Sequence, residues 1–255
     1  YIYRKGFNQQ YNVNFSGGNR LMDFVASGGY NKSLNSLKSS SNDRYNVRAA
    51  INARPTDRLQ LNLSTIMSRS SVRNLGSESS IAYGALYSGD GRSNYPYISL
   101  VDDGGNFRDL ETVTFKSSFI DTLFNGQLLP ARYNLGNELQ SSENVNTTTD
   151  IMLNLGGQFK INEYLQLMLN YQYQESTNKV TNWQGLQSYF TQNYINLFSQ
   201  YSPTAGLKHI IPIGDIYTMQ DGRVHANNLR VNAQLDKSFG KGDLFRISGI
   251  LGAEL

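Results

Sequence analysis

His209 and His225 are the only histidines in the chain, and so the natural candidates for proton transfer near neutral pH. A Ser-His-Asp relay can be drawn through either, but no nucleophile-elbow motif supports one. Asp102-Asp103-Gly104-Gly105-Asn106 looks like the start of a calcium loop. The ligand spacing fails, because Gly104 stands where an oxygen ligand is needed. A β-turn is the simpler expectation there. The sequence holds no Cys, which excludes disulfides, thiolate metal sites and a Cys nucleophile. The expectation is a chain with no catalytic residues, no metal and no cofactor.

Aromatic residues offer recognition rather than reaction. Leu186, Tyr189, Phe190, Tyr194, Leu197, Phe198 and Tyr201 recur at spacings of three and four, which predicts an amphipathic helix over 186–201. Tyr83, Tyr87, Tyr95 and Tyr97 enrich another polar stretch. Tyr rings can stack on sugar faces or pack on peptides, or simply pack on neighbouring loops. The candidate contacts to a partner or substrate are Tyr95, Tyr97, Trp183, Tyr189, Phe190, Tyr194 and Phe198.

These residues need elements to carry them. The clearest element is Leu59–Met67, where Leu59, Leu61, Leu63, Thr65 and Met67 alternate with Gln60, Asn62 and Ser64. A period of two is a β-strand with one apolar and one polar face. The polar face carries amides rather than charges. The pattern recurs in eight strands: 7–15, 21–30, 44–53, 59–67, 150–159, 164–173, 228–239 and 244–255. Short turns alternate with polar stretches at 31–43, 69–149 and 174–227. Gly17 and Gly18 are expected to provide the positive φ of the first turn.

Alternation with an apolar outer face and a wet inner face is the signature of a membrane-spanning β-barrel. About nine residues at ~3.3 Å each, tilted by ~40°, span roughly 23 Å, close to the ~25 Å apolar band of such barrels. Phe15, Phe159, Phe239 and Phe245 would form a rim at the short-turn end. Phe7, Tyr30, Tyr45, Tyr171 and Tyr173 would form one at the long-loop end. Gln9 and Lys237 also fall on the outer face, and Lys237 lies close enough to a turn to snorkel. Arg44, Arg48, Arg230, Arg246, Asp236 and Glu254 fall on the inner face.

Composition agrees. Hydrophobic residues are 39% and charged residues 17% of 255 residues. Both lie below soluble averages of about 45–50% and about 25%. Aromatics at 12% exclude a disordered chain. No apolar run approaches the length of a membrane helix. The net charge is +3 with no basic run, so no nucleic-acid partner is expected. The opening Tyr1-Ile2-Tyr3-Arg4-Lys5 has no apolar core segment of the signal-peptide kind. Eight strands with an 81-residue connection fit an internal piece of a wider barrel better than a small closed one.

Gly6-Phe7-Asn8-Gln9-Gln10-Tyr11-Asn12-Val13-Asn14-Phe15-Ser16-Gly17-Gly18-Asn19 resembles early barrel strands of the SusC/RagA-type TonB-dependent outer-membrane transporters of Bacteroidetes. Asp43–Arg48, Tyr133-Asn134-Leu135, Asn144–Asp150, Asn170–Gln174, Ile211–Gly214 and Gly249–Glu254 look like later segments in the same order. The resemblance implies a 22-stranded barrel with a plug. It implies uptake energised by the TonB complex and a SusD/RagB-like surface lipoprotein as lid. Its substrates would be oligosaccharides or peptides. On this reading residues 1–255 are a partial barrel domain, without the plug and the C-terminal strands. They sit in the outer membrane bilayer, and the 186–201 helix becomes a candidate contact for the lipoprotein or substrate. The alternatives are a passive porin or small stand-alone barrel, and an outer-membrane hydrolase using His209 or His225.

Overall fold

A computed structural model describes residues 3–75, 99–111, 116–239 and 245–255. The side chain of Ser117 lies outside that description, as do Tyr83, Tyr87, Tyr95, Tyr97 and the 240–244 connection.

The chain is all-β apart from short helices. Eight long strands form one antiparallel sheet. They are β1 (Phe7–Gly18), β2 (Met22–Leu34), β3 (Ser41–Thr56) and β4 (Leu59–Asn74), then β7 (Ser142–Lys160), β8 (Leu165–Gln184), β11 (Ile216–Phe239) and β12 (Phe245–Glu254). They lie side by side in chain order, with β1 and β12 at the two edges. The inserted elements are β5 (Asp109–Leu110), α1 (Ser117–Thr122), β6 (Tyr133–Asn134) and α2 (Leu135–Ser141), and later α3 (Tyr189–Leu197), β9 (Ser199–Ser202) and β10 (Gly206–His209).

Register shows why the sequence alternates. Phe24, Ile51, Leu63, Leu155, Tyr171 and Leu229 face one another in a row across six strands. The next row is Asp23, Asn52, Asn62, Gly156, Asn170, Arg230 and Glu254. Each one-residue step along a strand changes face, so apolar and polar rows alternate over the whole sheet. The apolar face carries no cover: Leu61, Leu169, Val231 and Phe15 are all exposed. Among the described residues every buried apolar side chain sits outside the sheet, in the inserted segments. A sheet of a water-soluble protein buries one face, and this one buries neither.

The short turns are built by side chains. Asn19 Oδ1 accepts from the Leu21 and Met22 amides. Thr56 Oγ1 accepts from Leu59 N, and Asn162 Oδ1 from Tyr164 N and Leu165 N. These are Asx- and ST-type turns. The expectation of positive φ at Gly17 and Gly18 is corrected: both lie within β1 and neither is left-handed. Their bareness serves close approach instead. A Cβ on Gly17 would press on the Phe24 ring, and one on Gly18 on the Met22 carbonyl.

Strands run further at the loop end than alternation suggests. β4 continues to Asn74 and β7 begins at Ser142, both inside the stretch read as an excursion over 69–149. β8 runs to Gln184 and β11 starts at Ile216, inside the stretch read as a loop over 174–227. β2 and β3 likewise shorten the 31–43 connection to 35–40. Beyond the alternating segments both faces carry mainly polar residues, so alternation fades while the backbone ladder continues.

Candidate functional site: a polar wall under an aromatic dome

The polar face of the sheet is a wall of amides that also carries several paired charges. Arg230 donates to the Glu254 carboxylate at 2.7 Å, and Arg246 forms a two-pronged pair with Asp236. Arg54 lies 3.7 Å from Asp23. Asn178 donates to Asn146 and Thr148, Asn154 to Ser64 and Ser68 to Asn46. Amides of this kind can both donate and accept hydrogen bonds without carrying a fixed charge.

Above the loop-end margin of the sheet, segments 99–111, 116–141 and 185–215 pack together. Leu110, Ile120, Ala131, Tyr133, Leu135 and Tyr189 form the core of this dome. Two buried polar contacts fix α3. Ser188 caps its N-terminus by accepting from Thr191 N. The carboxylate of Glu138, on α2, accepts from Tyr189 N at 2.6 Å. Asn196 clamps the Leu129 peptide from the other end of α3, donating to its carbonyl at 2.7 Å and accepting from its amide at 2.9 Å. Burial, and then the Glu138 charge, push the Tyr133 hydroxyl well above the ordinary tyrosine range.

The helix read over 186–201 is shorter than its periodicity. It spans Tyr189–Leu197, because residues 199–202 turn into β9 and pair with β10. The sequence-derived contact candidates separate into three groups. Tyr189 is buried in the dome core, edge-on to Tyr133. Trp183 is a latch: its indole N–H donates to Asp215 at 3.0 Å, and the same carboxylate accepts from Leu186 N. Phe190, Tyr194 and Phe198 make a ladder of ring contacts at 5.7 and 5.0 Å along one side of α3. Tyr95 and Tyr97 lie outside the described residues.

Sequence reading missed a groove beside that ladder. Phe119, Leu123, Phe124 and Leu128 line about 200 Å³ of mainly apolar space with Asn193 and Leu197 of α3. Phe124 holds a left-handed backbone at φ 54, which costs a bulky side chain of order 1–3 kcal/mol. Its ring stacks on Tyr201 at 4.5 Å. Residues 119–128 carry no periodicity, so the only signal was a cluster of large apolar residues in a polar stretch.

The titratable candidates are held by local structure. Ser199 Oγ lies 2.7 Å from His209 Nδ1 and 2.8 Å from the Ile195 carbonyl. A hydroxyl that donates to that carbonyl accepts from the imidazole N–H. The contact ties the end of α3 to the β9–β10 hairpin. His225 lies in β11 opposite Glu175. Asp102 accepts from Asn106 N and Nδ2, closing the turn expected there. Those bonds hold its carboxyl below the usual range.

No family model matches the chain, and no match was found among the curated proteins. Solved structures do match its fold. Two are described as the RagAB peptide transporter and the RagAB peptide importer in the "closed-closed" state. They superpose with TM-scores of 0.64 and 0.66 at 12% identity, over 97% and 99% of this chain. The importer in the "open-open" state gives 0.64 at 13%. In each case the chain spans 24% of the matched chain's length. The shared property is the fold: a long-stranded antiparallel sheet bearing inserted loops.

Proposed function

We propose that this chain forms part of the barrel wall of an outer-membrane importer of the SusC/RagA TonB-dependent type. The observation that carries the reading is the pairing of an uncovered apolar face with an amide-lined one beneath an aromatic dome. The apolar face meets lipid, and the amide face lines a water-filled conduit within a wider, 22-stranded barrel. No bond is broken and no cofactor is used. The cargo is an oligomer rich in hydrogen-bonding groups. A peptide is favoured over an oligosaccharide, because the fold is that of structures described as peptide importers and the dome groove is apolar. The ladder Phe190, Tyr194 and Phe198 and the groove beside it are the surface for cargo or for a SusD/RagB-like lipoprotein lid. The TonB complex would act through a plug.

The test is uptake by cells carrying the whole protein. Labelled peptide uptake is expected to saturate, to stop when the inner-membrane proton gradient is collapsed, and to fall at least tenfold with Leu197→Ser and Phe198→Ser together. Both residues are exposed, so the fold should survive. Uptake that ignores the gradient would make the protein a passive porin. Uptake and lipoprotein association that both ignore the double substitution would remove the role of the dome.

A further inference from the structure

On the apolar face, at the level of the loop-end aromatic rim, three rows of residues on β2, β3 and β4 change character step by step. The lowest row is Gly28, Val47 and Met67. The next is Tyr30, Tyr45 and Arg69, and the one above it is Lys32, Asp43 and Ser71. Except for Gly28, these residues line one open groove of about 660 Å³. Its floor is apolar, its waist aromatic and its top charged. Tyr30 and Tyr45 stack at 4.7 Å, and Tyr11 stacks on the far side of Tyr30 at 6.4 Å. A Cβ on Gly28 would touch nothing, so the backbone there leaves open space running down towards the hydrocarbon.

The charges at the top are unevenly satisfied. The Asp43 carboxylate accepts from the Tyr30 hydroxyl at 2.9 Å, which holds it against the ring. Lys32 and Arg69 flank it from the two neighbouring strands. Among the described residues neither takes part in an ion pair. The comparable cation in the same row three strands along, Arg223, is held by Glu175 at 2.7 Å. Two free cations thus stand over one carboxylate already engaged by a hydroxyl. All three stand at the loop end of the groove, directly above apolar side chains.

We propose that this groove is a binding site for a phosphate-bearing, acylated lipid of the outer leaflet. Lys32 and Arg69 hold the phosphate, the Tyr30–Tyr45 pair meets the headgroup backbone, and an acyl chain lies over Gly28, Val47 and Met67. Charge complementarity selects an anionic lipid, and the depth of the apolar floor selects a lipid over a soluble phosphate. β2, β3 and β4 lie within the sheet, each paired on both sides, so the groove does not depend on a sheet edge. The inference rests on this face meeting lipid, as proposed above.

The test uses the whole protein, purified and returned to nanodiscs of phosphatidylcholine with a small fraction of diphosphorylated lipid A, read by native mass spectrometry. Retention of lipid A is expected, falling roughly fivefold for each cation removed in Lys32→Gln and Arg69→Gln. Gly28→Leu should weaken retention with both cations intact. Lys179→Gln, on the same face outside the groove, should change nothing and controls for general loss of charge. Release of lipid A by millimolar inorganic phosphate, with Gly28→Leu without effect, would reduce the site to a phosphate site and overturn the lipid. Lipid held without preference for phosphate, unchanged in Lys32→Gln and Arg69→Gln, would overturn the site while leaving the membrane reading intact. Failure to retain any lipid at all would count against both.

Discussion

The side chain of Asn62 lies across the bare Cα of Gly156, its partner directly opposite on the neighbouring strand, so that even a methyl group there would meet the amide. Asn12 covers Gly29 and Asn232 covers Gly252 in the same way. All three pairs lie on the polar face. A glycine opposite each asparagine lets the amide lie flat along the wall rather than project from it. These glycines are required by a neighbour, not by a positive φ. Gly156→Val is expected to destabilise the folded protein by about 1–3 kcal/mol. Gly156→Ala should cost less, and Asn62→Ser should recover most of that loss, which a double-mutant cycle in urea would measure. Additive effects of the two changes would show that the residues do not meet.

Adjacent residues on β4 should respond oppositely to the same substitution. Leu63→Arg puts a cation on the uncovered apolar face near mid-strand and is expected to cost about 2–4 kcal/mol when the protein folds into lipid. Asn62→Arg, one residue away on the wet face, should cost little. Equilibrium folding into vesicles reads both. Equal costs would mean that the two faces have the same environment.

The alternation of β1–β4, β7, β8, β11 and β12 was legible because, in the proposed barrel, lipid would impose it on every second residue. Each of Leu59, Leu61, Leu63 and Met67 must be apolar, and their neighbours need not be. Even the exception fits: the Lys237 ammonium lies 4.7 Å from the Tyr164 ring centre and 4.9 Å from that of Phe239, so its charge rests on aromatic faces at the rim. What was illegible lies where that pressure stops. Residues 174–184 and 216–227 continue two strands with mainly polar residues on both faces, and nothing in their pattern marks them as strands. In the dome, the spacing of Leu197, Phe198 and Tyr201 continues a helical period that the chain abandons after Leu197. Burial of Glu138 and Tyr133 depends on segments distant in sequence, so neither stood out.

The dome should be sensitive to alkali. Tyr133 keeps its proton in the folded state to higher pH than an unfolded tyrosine does, because burial and Glu138 both disfavour the phenolate. A raised pKa on an acid means that the contribution is complete below the unfolded value, near 10, and declines as pH rises past it. Local unfolding of the dome, followed by hydrogen exchange at α3, should therefore be flat from neutral pH to about 9 and increase above about 10. Tyr133→Phe should remove that increase. A profile unchanged by Tyr133→Phe would assign the sensitivity elsewhere.

The central question for the sheet is whether neighbouring residues of one strand face different solvents. Residues 1–255 contain no Cys, so a single cysteine placed among them meets no competing thiol within this segment. Spin labels at 165–173 of β8, in protein held in lipid bilayers, would report collision rates with oxygen and with a water-soluble nickel chelate. Labels at Leu167, Leu169 and Tyr171 are predicted to favour oxygen, and those at Gln166 and Asn170 the chelate, with a period of two and opposite phase. Rates that vary smoothly along the strand, with both relaxants in phase, would contradict it.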